Sequence, residues 1–426
     1  MKIKYVYSAC IEIKTKDLTI LCDPWFTDGV YHGTWYQYPK IDPFEIIDKP
    51  DVVYISHIHP DHYDPIFLRK LLEKFPNIKI LISFYARNYL KFKMLADGFS
   101  PIETDIYETE HTILEIIPAD LGNITDIDSA LIVFDKANKK TLLNTNDCIY
   151  DEPLFISYKE SVNKYSKDLD IATIGYTGAG PYPQMFYDES EKTELLEEAD
   201  KKKKDFFNRY MKAVNLFNPK YTLPFAGTYY LGGKLATKNF FRGNADALEC
   251  KEFDDTAVIL KNGGTIDLVT ENIKNERKEM FSEEELKIFF ESIEKNKLDH
   301  ENEILIPYSS IKFPRLISKA IANAENKISL NEGEILIFEI LDECENVKSI
   351  FEYIAGKGVK QVKDLLHLES DSHTKLLLDY RLFYGLMTGV YHWNNAEVGS
   401  LITWRRSPKS YYLPEVRKFL NFLTVF

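Results

Sequence analysis

Alternating apolar and polar residues at the start of the chain predict a meander of short β-strands. Apolar side chains recur at every second position over residues 3–9, 11–14 and 18–21, as in strands that bury one face. Short apolar runs predict further strands over residues 51–56, 79–83, 129–134 and 141–147. Segments with helical spacing of apolar residues separate these strands. The pattern therefore predicts an α/β fold.

A change in pattern near residue 275 divides the chain into two predicted domains. Before it, strands alternate with helices, and the longest helix is predicted over residues 190–216. After it, charged helices begin, and Ser282 opens a segment typical of a helix start. We assign residues 1–275 to a first, larger domain and residues 276–426 to a smaller α+β domain that could complete a substrate pocket.

The composition indicates a soluble protein of a reducing compartment. The 426 residues include five scattered cysteines, which argue against a disulfide framework. No apolar run approaches the roughly 18 residues needed to span a bilayer, and the first residues alternate like a strand rather than a signal peptide. A net charge of −13 disfavours binding to the nucleic-acid backbone. We expect a cytoplasmic protein that binds neither nucleic acid nor membrane.

A cluster of metal-ligating residues follows the predicted strand over residues 51–56. His57, His59, Asp61 and His62 form the pattern His-x-His-x-Asp-His, although the whole chain has only nine histidines. Imidazole nitrogens and carboxylate oxygens suit a divalent or redox metal. Residues two apart on an extended chain point to the same side, so His57 and His59 should form a pair. Asp61 is predicted to cap the next helix, and with His62 it would face back towards that pair.

A strand that ends in this pattern resembles the signature of the metallo-β-lactamase superfamily. The resemblance implies an αββα sandwich with metal at one edge of the sheets, followed here by the smaller α+β domain. The segment Asp23-Pro24-Trp25-Phe26 is similar to the early aspartate motif that braces the metal loop, and Asp147 is similar to the bridging carboxylate. Two family histidines are missing, because Asp120 stands in place of one and residues 221–227 contain none.

The resemblance implies one or two divalent metal ions, zinc or iron. The two implied sets of ligands are His57, His59 and Asp120, and Asp61, His62 and Asp147. In the second set Asp147 could bridge two ions, whereas Asp120 could instead be an ordinary loop aspartate. A set this rich in carboxylates suits iron or manganese at least as well as zinc.

A closer resemblance connects two other segments to one branch of the superfamily. Residues 174–183 and 393–400 look like the catalytic part of CMP-N-acetylneuraminate hydroxylases. Those enzymes also carry a Rieske iron–sulfur domain with paired cysteine and histidine ligands. None of the five cysteines here lies near a histidine in the sequence. An oxidative reaction would therefore need a separate electron-transfer protein as partner.

Two loops and one arginine are candidates for contacting a small-molecule substrate. Trp35 and Tyr36 have aromatic faces suited to stacking on a sugar or base, or could pack against the second domain. Thr177 and Gly178 follow a predicted strand, so backbone amides there could bind an anionic group, or the glycine could only form a tight turn. Arg405 could pair with phosphate or carboxylate, or could be an ordinary surface arginine.

Three functions remain open from the sequence. The first is a metallo-hydrolase that acts on a sugar-nucleotide or other phosphorylated molecule, with Asp61 as base or as ligand to a second metal. The second is a non-haem iron hydroxylase of a sugar-nucleotide that works with a Rieske or ferredoxin partner. The third is a binding protein without catalysis. Hydrolysis leads because it is the commoner activity in the superfamily.

Overall fold

The computed structural model describes residues 1–85, 87–119, 128–149, 152–365 and 372–426. Strands and helices alternate through most of these ranges. In chain order, the strands are β1 (Lys2–Tyr7), β2 (Cys10–Lys14), β3 (Thr19–Cys22), β4 (Trp35–Tyr36), β5 (Val52–Tyr54), β6 (Lys79–Ile82), β7 (Ile102–Glu103), β8 (Ile106–Glu108), β9 (Thr112–Ala119), β10 (Asp128–Asp135), β11 (Lys140–Asn144), β12 (Ile171–Gly175), β13 (Tyr221–Phe225), β14 (Tyr230–Leu231), β15 (Leu260–Asp267), β16 (Asn272–Glu276), β17 (Ile335–Leu341), β18 (Val347–Ile354), β19 (Gly358–Val362), β20 (His373–Asp379) and β21 (Thr403–Ser407).

The helices cover the sheets and connect them. The α-helices are α1 (Val30–Gly33), α2 (Pro43–Ile46), α3 (Pro65–Lys74), α4 (Tyr89–Ala96), α5 (Glu152–Asn163), α6 (Lys192–Phe217), α7 (Glu283–Ile293), α8 (Asp299–Glu303), α9 (Phe313–Glu325), α10 (Tyr380–Met387), α11 (Trp393–Val398) and α12 (Pro414–Asn421). Short 3₁₀ helices are formed by Glu189–Glu191, Gly233–Phe241, Ala247–Glu252 and Tyr308–Ser310. None of the helices in the described ranges is long and apolar enough to cross a lipid bilayer.

Two sheets pack face to face in the first part of the chain. The first has the strand order β16-β15-β1-β2-β3-β5-β6-β7 and the second has the order β13-β12-β11-β10-β9-β8. Their facing sides share one hydrophobic core, to which Ile11 of the first sheet and Leu131 of the second contribute. Because side chains alternate along a strand, the neighbouring Ile132 faces the other way, into a separate core.

Helices cover both outer faces of this pair of sheets. On the first sheet, α3 buries Phe67 and Leu71 against Val53. On the second sheet, α5 and α6 bury Phe155 and Tyr210 in the core that contains Ile132. The layers therefore follow the order α, β, β, α. This arrangement confirms the predicted αββα sandwich.

The last part of the chain forms a third sheet with its own core. Its strand order is β19-β18-β17-β20-β21, and β17 and β20 are parallel. The core of this sheet also takes in Trp25, Tyr31 and Trp35 from the first part of the chain. The last strand of the first sheet ends at Glu276, one residue beyond the boundary expected from the sequence. The smaller α+β part thus packs on an aromatic loop of the sandwich, which we define as residues 25–35.

The start of α3 differs from the sequence-based expectation. Asp64, not Asp61, caps this helix, and its Oδ1 accepts hydrogen bonds from the backbone amides of Ile66 and Phe67. Asp64 precedes the helix directly, where a side-chain oxygen reaches the free amides of the first turn. The carboxylate of Asp61 is therefore available for the cluster of histidines.

Candidate metal centre

Parallel strand pairing brings the chemically important residues to one edge of the sandwich. In the first sheet Cys22 of β3 lies opposite Tyr54 of β5, so Asp23 and the histidine cluster leave the sheet side by side. In the second sheet β11, β12 and β13 are parallel, and Asp147, Thr177 and Ala226 follow their carboxyl ends. Both sheets therefore deliver polar loops to the same rim, as the sequence predicted for the histidine cluster.

Each clustered histidine has its outer ring nitrogen next to a hydrogen-bond acceptor. His57 Nδ1 lies 2.9 Å from Ser56 Oγ and 3.3 Å from Asp128 Oδ1. His62 Nδ1 lies 2.9 Å from Asp23 Oδ2. His59 Nε2 lies 2.9 Å from the side-chain oxygen of Asn394. In the neutral rings, these partners place the proton on the outer nitrogen and leave the inner nitrogen as the atom that can bind a metal.

The inner nitrogens converge with carboxylate oxygens on one point. His57 Nε2 and His59 Nδ1 are 2.8 Å apart, which confirms that these two rings point to the same side. His62 Nε2 lies 3.6 Å from Asp61 Oδ2 and 3.5 Å from Asp147 Oδ1. Ligand atoms of His57, His62 and Asp147 all lie within 4.8 Å of one another. Lone pairs held this close repel unless a cation lies between them, so the donor set fits a metal ion.

The electrostatics of the cluster also favour a positive charge at its centre. Burial lowers the pKa of His62, but the carboxylates of Asp147, Asp61 and Asp23 outweigh it and raise that pKa well above its usual range. Burial raises the pKa of Asp147, but the nearby imidazoles of His62 and His57 lower it further than burial raises it. A metal ion can replace the proton that these carboxylates hold on His62.

Asp23 and Tyr31 hold residues of the cluster in place through hydrogen bonds. Asp23 is fully buried and accepts hydrogen bonds of 2.7 Å from both the backbone amide and the hydroxyl of Ser56, besides its contact with His62. Tyr31 donates its hydroxyl proton to Asp61. Burial and the charge of Asp61 raise the pKa of Tyr31 well above its usual range, so the phenol stays protonated. Its backbone has a φ of 57°, a left-handed conformation that bulky residues rarely adopt.

Of the two positions without a family histidine, the structure describes only the second. Asp120 lies outside the described residues, so its role as a ligand stays a prediction. In the segment over residues 221–227, Ala226 borders the cavity above the cluster, with a left-handed φ of 59°. An alanine methyl group cannot bind a metal, so this segment adds no side-chain ligand at that point.

A cavity of about 640 Å³ opens above the cluster. His59, Asp61 and Asp147 form part of its floor. Its walls come from the loop after β12, from α6 and from the C-terminal helices α11 and α12, and they include Thr177, Gly178, Lys202, Phe206, Arg209, Asn394, Glu397, Arg417 and Lys418. The C-terminal part thus forms one side of this cavity.

Only some of the residues proposed from the sequence as substrate contacts border this cavity. Trp35 borders the cavity and stacks on Tyr229 with ring centroids 3.5 Å apart. Thr177 also borders it, and its buried hydroxyl has no hydrogen-bond partner among the described residues. Tyr36 does not border this cavity but packs with Phe289 and other residues in a small separate core. Trp35 and Tyr36 face opposite ways because they are neighbours on β4.

Arg405 also lies away from the cavity above the cluster. Its guanidinium donates to the backbone oxygens of Trp404 and Met185, and one nitrogen lies 3.5 Å from Asp188 Oδ2. Arg417, which the sequence analysis did not single out, occupies the cavity wall instead. Each arginine follows an apolar residue, Trp404 or Val416, so the local sequence alone could not tell them apart.

Residues 2–122 match the model of the β-lactamase superfamily domain. The match places a β-lactamase superfamily domain within residues 2–122. This domain contains Asp23 and the whole histidine cluster, whereas Asp147 and Asn394 lie beyond it.

The curated relatives include two groups of named proteins. Cytidine monophosphate-N-acetylneuraminic acid hydroxylase of Danio rerio is 26% identical over 236 residues, covering 53% of this chain and 38% of that protein. A protein of Mycolicibacterium smegmatis named as a Rieske 2Fe-2S iron–sulfur protein is 27% identical over 201 residues, covering 44% of this chain and 36% of that protein. The chain therefore matches well under half the length of these relatives.

Solved structures with similar topology include an isothiocyanate hydrolase from Delia radicum gut bacteria and CmlA, a diiron β-hydroxylase from Streptomyces venezuelae. The first has a TM-score of 0.40 at 13% identity and covers 63% of this chain and 98% of its own. The second has a TM-score of 0.38 at 13% identity and covers 60% of this chain and 52% of its own.

Proposed function

We propose that this protein is an enzyme that binds one or two divalent metal ions and acts on a small anionic molecule. The ligands would be His57 and His59 at one position and Asp61, His62 and Asp147 at the other. The observation that carries this proposal is the arrangement of the three imidazoles. Each has an acceptor on its outer nitrogen, and each directs its inner nitrogen towards the floor of an open cavity.

The cationic wall of the cavity supports an anionic substrate. Arg209, Arg417 and Lys418 border the cavity, on two helices that frame it. Lys202 borders it too and donates to the backbone oxygens of Tyr182 and Arg242. Burial lowers the pKa of Lys202 to about 7. A phosphate or carboxylate placed here would pair with these cations and favour the charged form of the buried Lys202, while its other end reaches the metal cluster.

We further propose that the metal is iron and that the reaction is a hydroxylation. Two features support this rather than the commoner hydrolysis. The proposed ligands include two carboxylates and no histidine from the segment over residues 221–227, and hard oxygen donors suit iron. The curated relatives that cover about half of this chain also include hydroxylases. When bound, iron would supply the redox chemistry that dioxygen activation requires.

The residues of the chain would position the metal ligands and the substrate. Hydroxylation of a C–H bond consumes one dioxygen, two electrons and two protons, and it gives one alcohol and one water. The phenol of Tyr31 borders the cavity, donates its proton to a hydrogen bond with Asp61, and would hold that carboxylate in place. Trp35 and Thr177 would contact the body of the substrate. The two electrons would come from a separate Rieske-type or ferredoxin-type protein.

Hydrolysis is the second candidate, because His62 Nε2 lies near both Asp61 and Asp147, and Asp147 could bridge two ions there. In that case the metal would lower the pKa of a bound water to roughly 7. The carboxylate of Asp61 would then serve as ligand or base. Two zinc ions suit this chemistry as well as iron does.

Metal analysis with an oxygen electrode distinguishes the two candidates. The protein purified without added metal is mixed with cytidine monophosphate-N-acetylneuraminic acid, and with reduced ferredoxin as electron donor. We expect bound iron, and oxygen uptake that requires both donor and substrate. The double variant His57→Ala and His59→Ala should lose its metal and its oxygen uptake. His111→Ala should keep both, because His111 lies beside Asp17, in the turn between β2 and β3, at the opposite end of the strands from the cluster.

Two results would reject the hydroxylation. One is a zinc-loaded protein that hydrolyses phosphoesters without oxygen, which would favour the second candidate. The other is an iron-loaded protein that takes up no oxygen with this substrate or with other anionic sugar derivatives. A double variant of His57 and His59 that retained all of its metal would reject the metal centre itself.

A further inference from the structure

His59 of the cluster contacts a side chain from the C-terminal part of the chain. The side-chain oxygen of Asn394 lies 2.9 Å from His59 Nε2, although the two residues are 335 positions apart. Asn394 belongs to α11, outside the matched β-lactamase superfamily domain. It also borders the cavity above the cluster. The metal centre thus contains a contact that the superfamily domain does not supply.

The contact behind His59 differs chemically from the contacts behind His57 and His62. His57 and His62 contact the buried carboxylates of Asp128 and Asp23, which belong to the sandwich and carry negative charge. Asn394 offers a neutral amide oxygen. A hydrogen bond to a neutral acceptor is weaker than one to a carboxylate. The outer nitrogen of His59 is therefore held by an uncharged group of the C-terminal part.

The helix that carries Asn394 is firmly packed. Trp393 is 2% exposed and its indole nitrogen donates to the backbone oxygen of Leu423 at 2.9 Å. Ala396 is fully buried in the C-terminal core. At Gly399, which follows α11, an added Cβ would lie 2.8 Å from the backbone oxygen of Tyr31. These contacts hold α11 against the loop beside the cluster, so the amide of Asn394 has little freedom to move away.

We propose that Asn394 is a positioning residue that completes the metal centre from the C-terminal domain. Its amide oxygen accepts the proton of His59 Nε2 and so keeps the lone pair on Nδ1, the atom that faces His57. Without this acceptor the ring can rotate or change tautomer, and its lone pair no longer points to the metal. The inference rests on the proposed metal centre, but not on whether the reaction is hydroxylation or hydrolysis.

Cobalt binding tests this role without any assay of activity. Metal-free protein is titrated with Co²⁺ in competition with a chromophoric chelator, and the visible absorption of the bound cobalt is recorded. Loss of an acceptor behind a metal-bound histidine typically weakens binding by about 10- to 100-fold. We expect a loss of this size for Asn394→Ala, with an altered cobalt spectrum. Asn394→Asp should restore the spectrum and bind at least as tightly as the wild type, because its carboxylate is a stronger acceptor.

Asn395→Ala is the matched control, because Asn395 is the next residue of α11 and does not border the cavity. Its cobalt affinity should equal that of the wild type. The proposal is overturned if Asn394→Ala binds cobalt with wild-type affinity and spectrum, or if Asn395→Ala loses as much affinity. If Asn394→Ala does not fold, an Asn394→Asp protein with weaker cobalt binding would overturn it equally. A His57→Ala and His59→Ala protein that keeps cobalt would instead reject the underlying metal centre.

Discussion

Replacing Asp23 by asparagine should disable the metal centre without removing any ligand. Asp23 is fully buried and accepts hydrogen bonds from the amide and hydroxyl of Ser56 and from His62 Nδ1. An asparagine of the same size can still accept from the backbone amide of Ser56. Its NH₂ group, however, would take the place of the oxygen that faces His62. Two donors cannot bond to each other, so the neutral, metal-binding form of His62 would carry its proton on Nε2 instead of Nδ1.

The expected cost follows from that change of tautomer. His62 Nε2 is the atom that faces Asp61 and Asp147, and once protonated it cannot bind a metal. Loss of such a partner typically costs about 10- to 100-fold in metal affinity, which corresponds to about 1.4 to 2.7 kcal/mol. The loss of a charge-assisted hydrogen bond should also lower the free energy of unfolding of the metal-free protein by about 1.5 to 3 kcal/mol.

Metal content after dialysis and chelator competition measure the first effect, and denaturant unfolding of the metal-free protein measures the second. Asp254→Asn is the matched control. Asp254 is also buried and accepts three hydrogen bonds, from Tyr210 and from the amide and hydroxyl of Thr256, but it does not border the metal cavity. It should lose stability and keep its metal. An Asp23→Asn protein with wild-type metal affinity would refute the reasoning.

Three further outcomes are expected. The raised pKa of His62, which nearby carboxylates cause against the effect of burial, keeps this ring protonated in the metal-free protein. The stability that this charge contributes is fully present below pH about 6.5 and is lost as the pH rises through the pKa of His62 in the folded protein. Metal affinity should rise as His62 loses this proton, and a chelator competition that showed no dependence on pH would contradict this. For Gly178→Ala, the new Cβ would lie 1.9 Å from Phe206 Cζ, so the cavity wall must shift, and KM should rise while metal content stays constant. A wild-type KM would mean that this loop does not border the substrate. Arg405→Ala should change neither metal content nor KM, since Arg405 lies outside the cavity beside Asp188, and a raised KM would return it to the substrate site.

The histidine cluster could be predicted because its chemistry is local. His57, His59, Asp61 and His62 lie within six positions, and the period of a strand is enough to place the first two on one side. The same alternation separates Leu131 from Ile132 and so indicates which face of a strand meets which core. The two-layer sandwich follows from this pattern together with the family resemblance.

The cap of α3 shows where local reasoning was not sufficient. Asp61 and Asp64 both precede the helix within a few positions, and the sequence pattern favoured the first. The structure uses Asp64 as the cap, and Asp64 is also tied to the amides of Phe26 and Thr27. These contacts join two loops that are distant in the sequence, so they could not be read from the segment around the helix.

The sequence by itself determined the strand pattern, the α/β class and the group of histidines that can hold a metal, because each depends on spacing within a few residues. The tertiary structure decided which distant residues complete the site. Asn394 reaches His59, Arg417 lines the cavity and Arg405 does not, because the C-terminal sheet packs on the aromatic loop of the sandwich. Contacts over hundreds of residues arise from the burial of whole faces, and no local spacing encodes them.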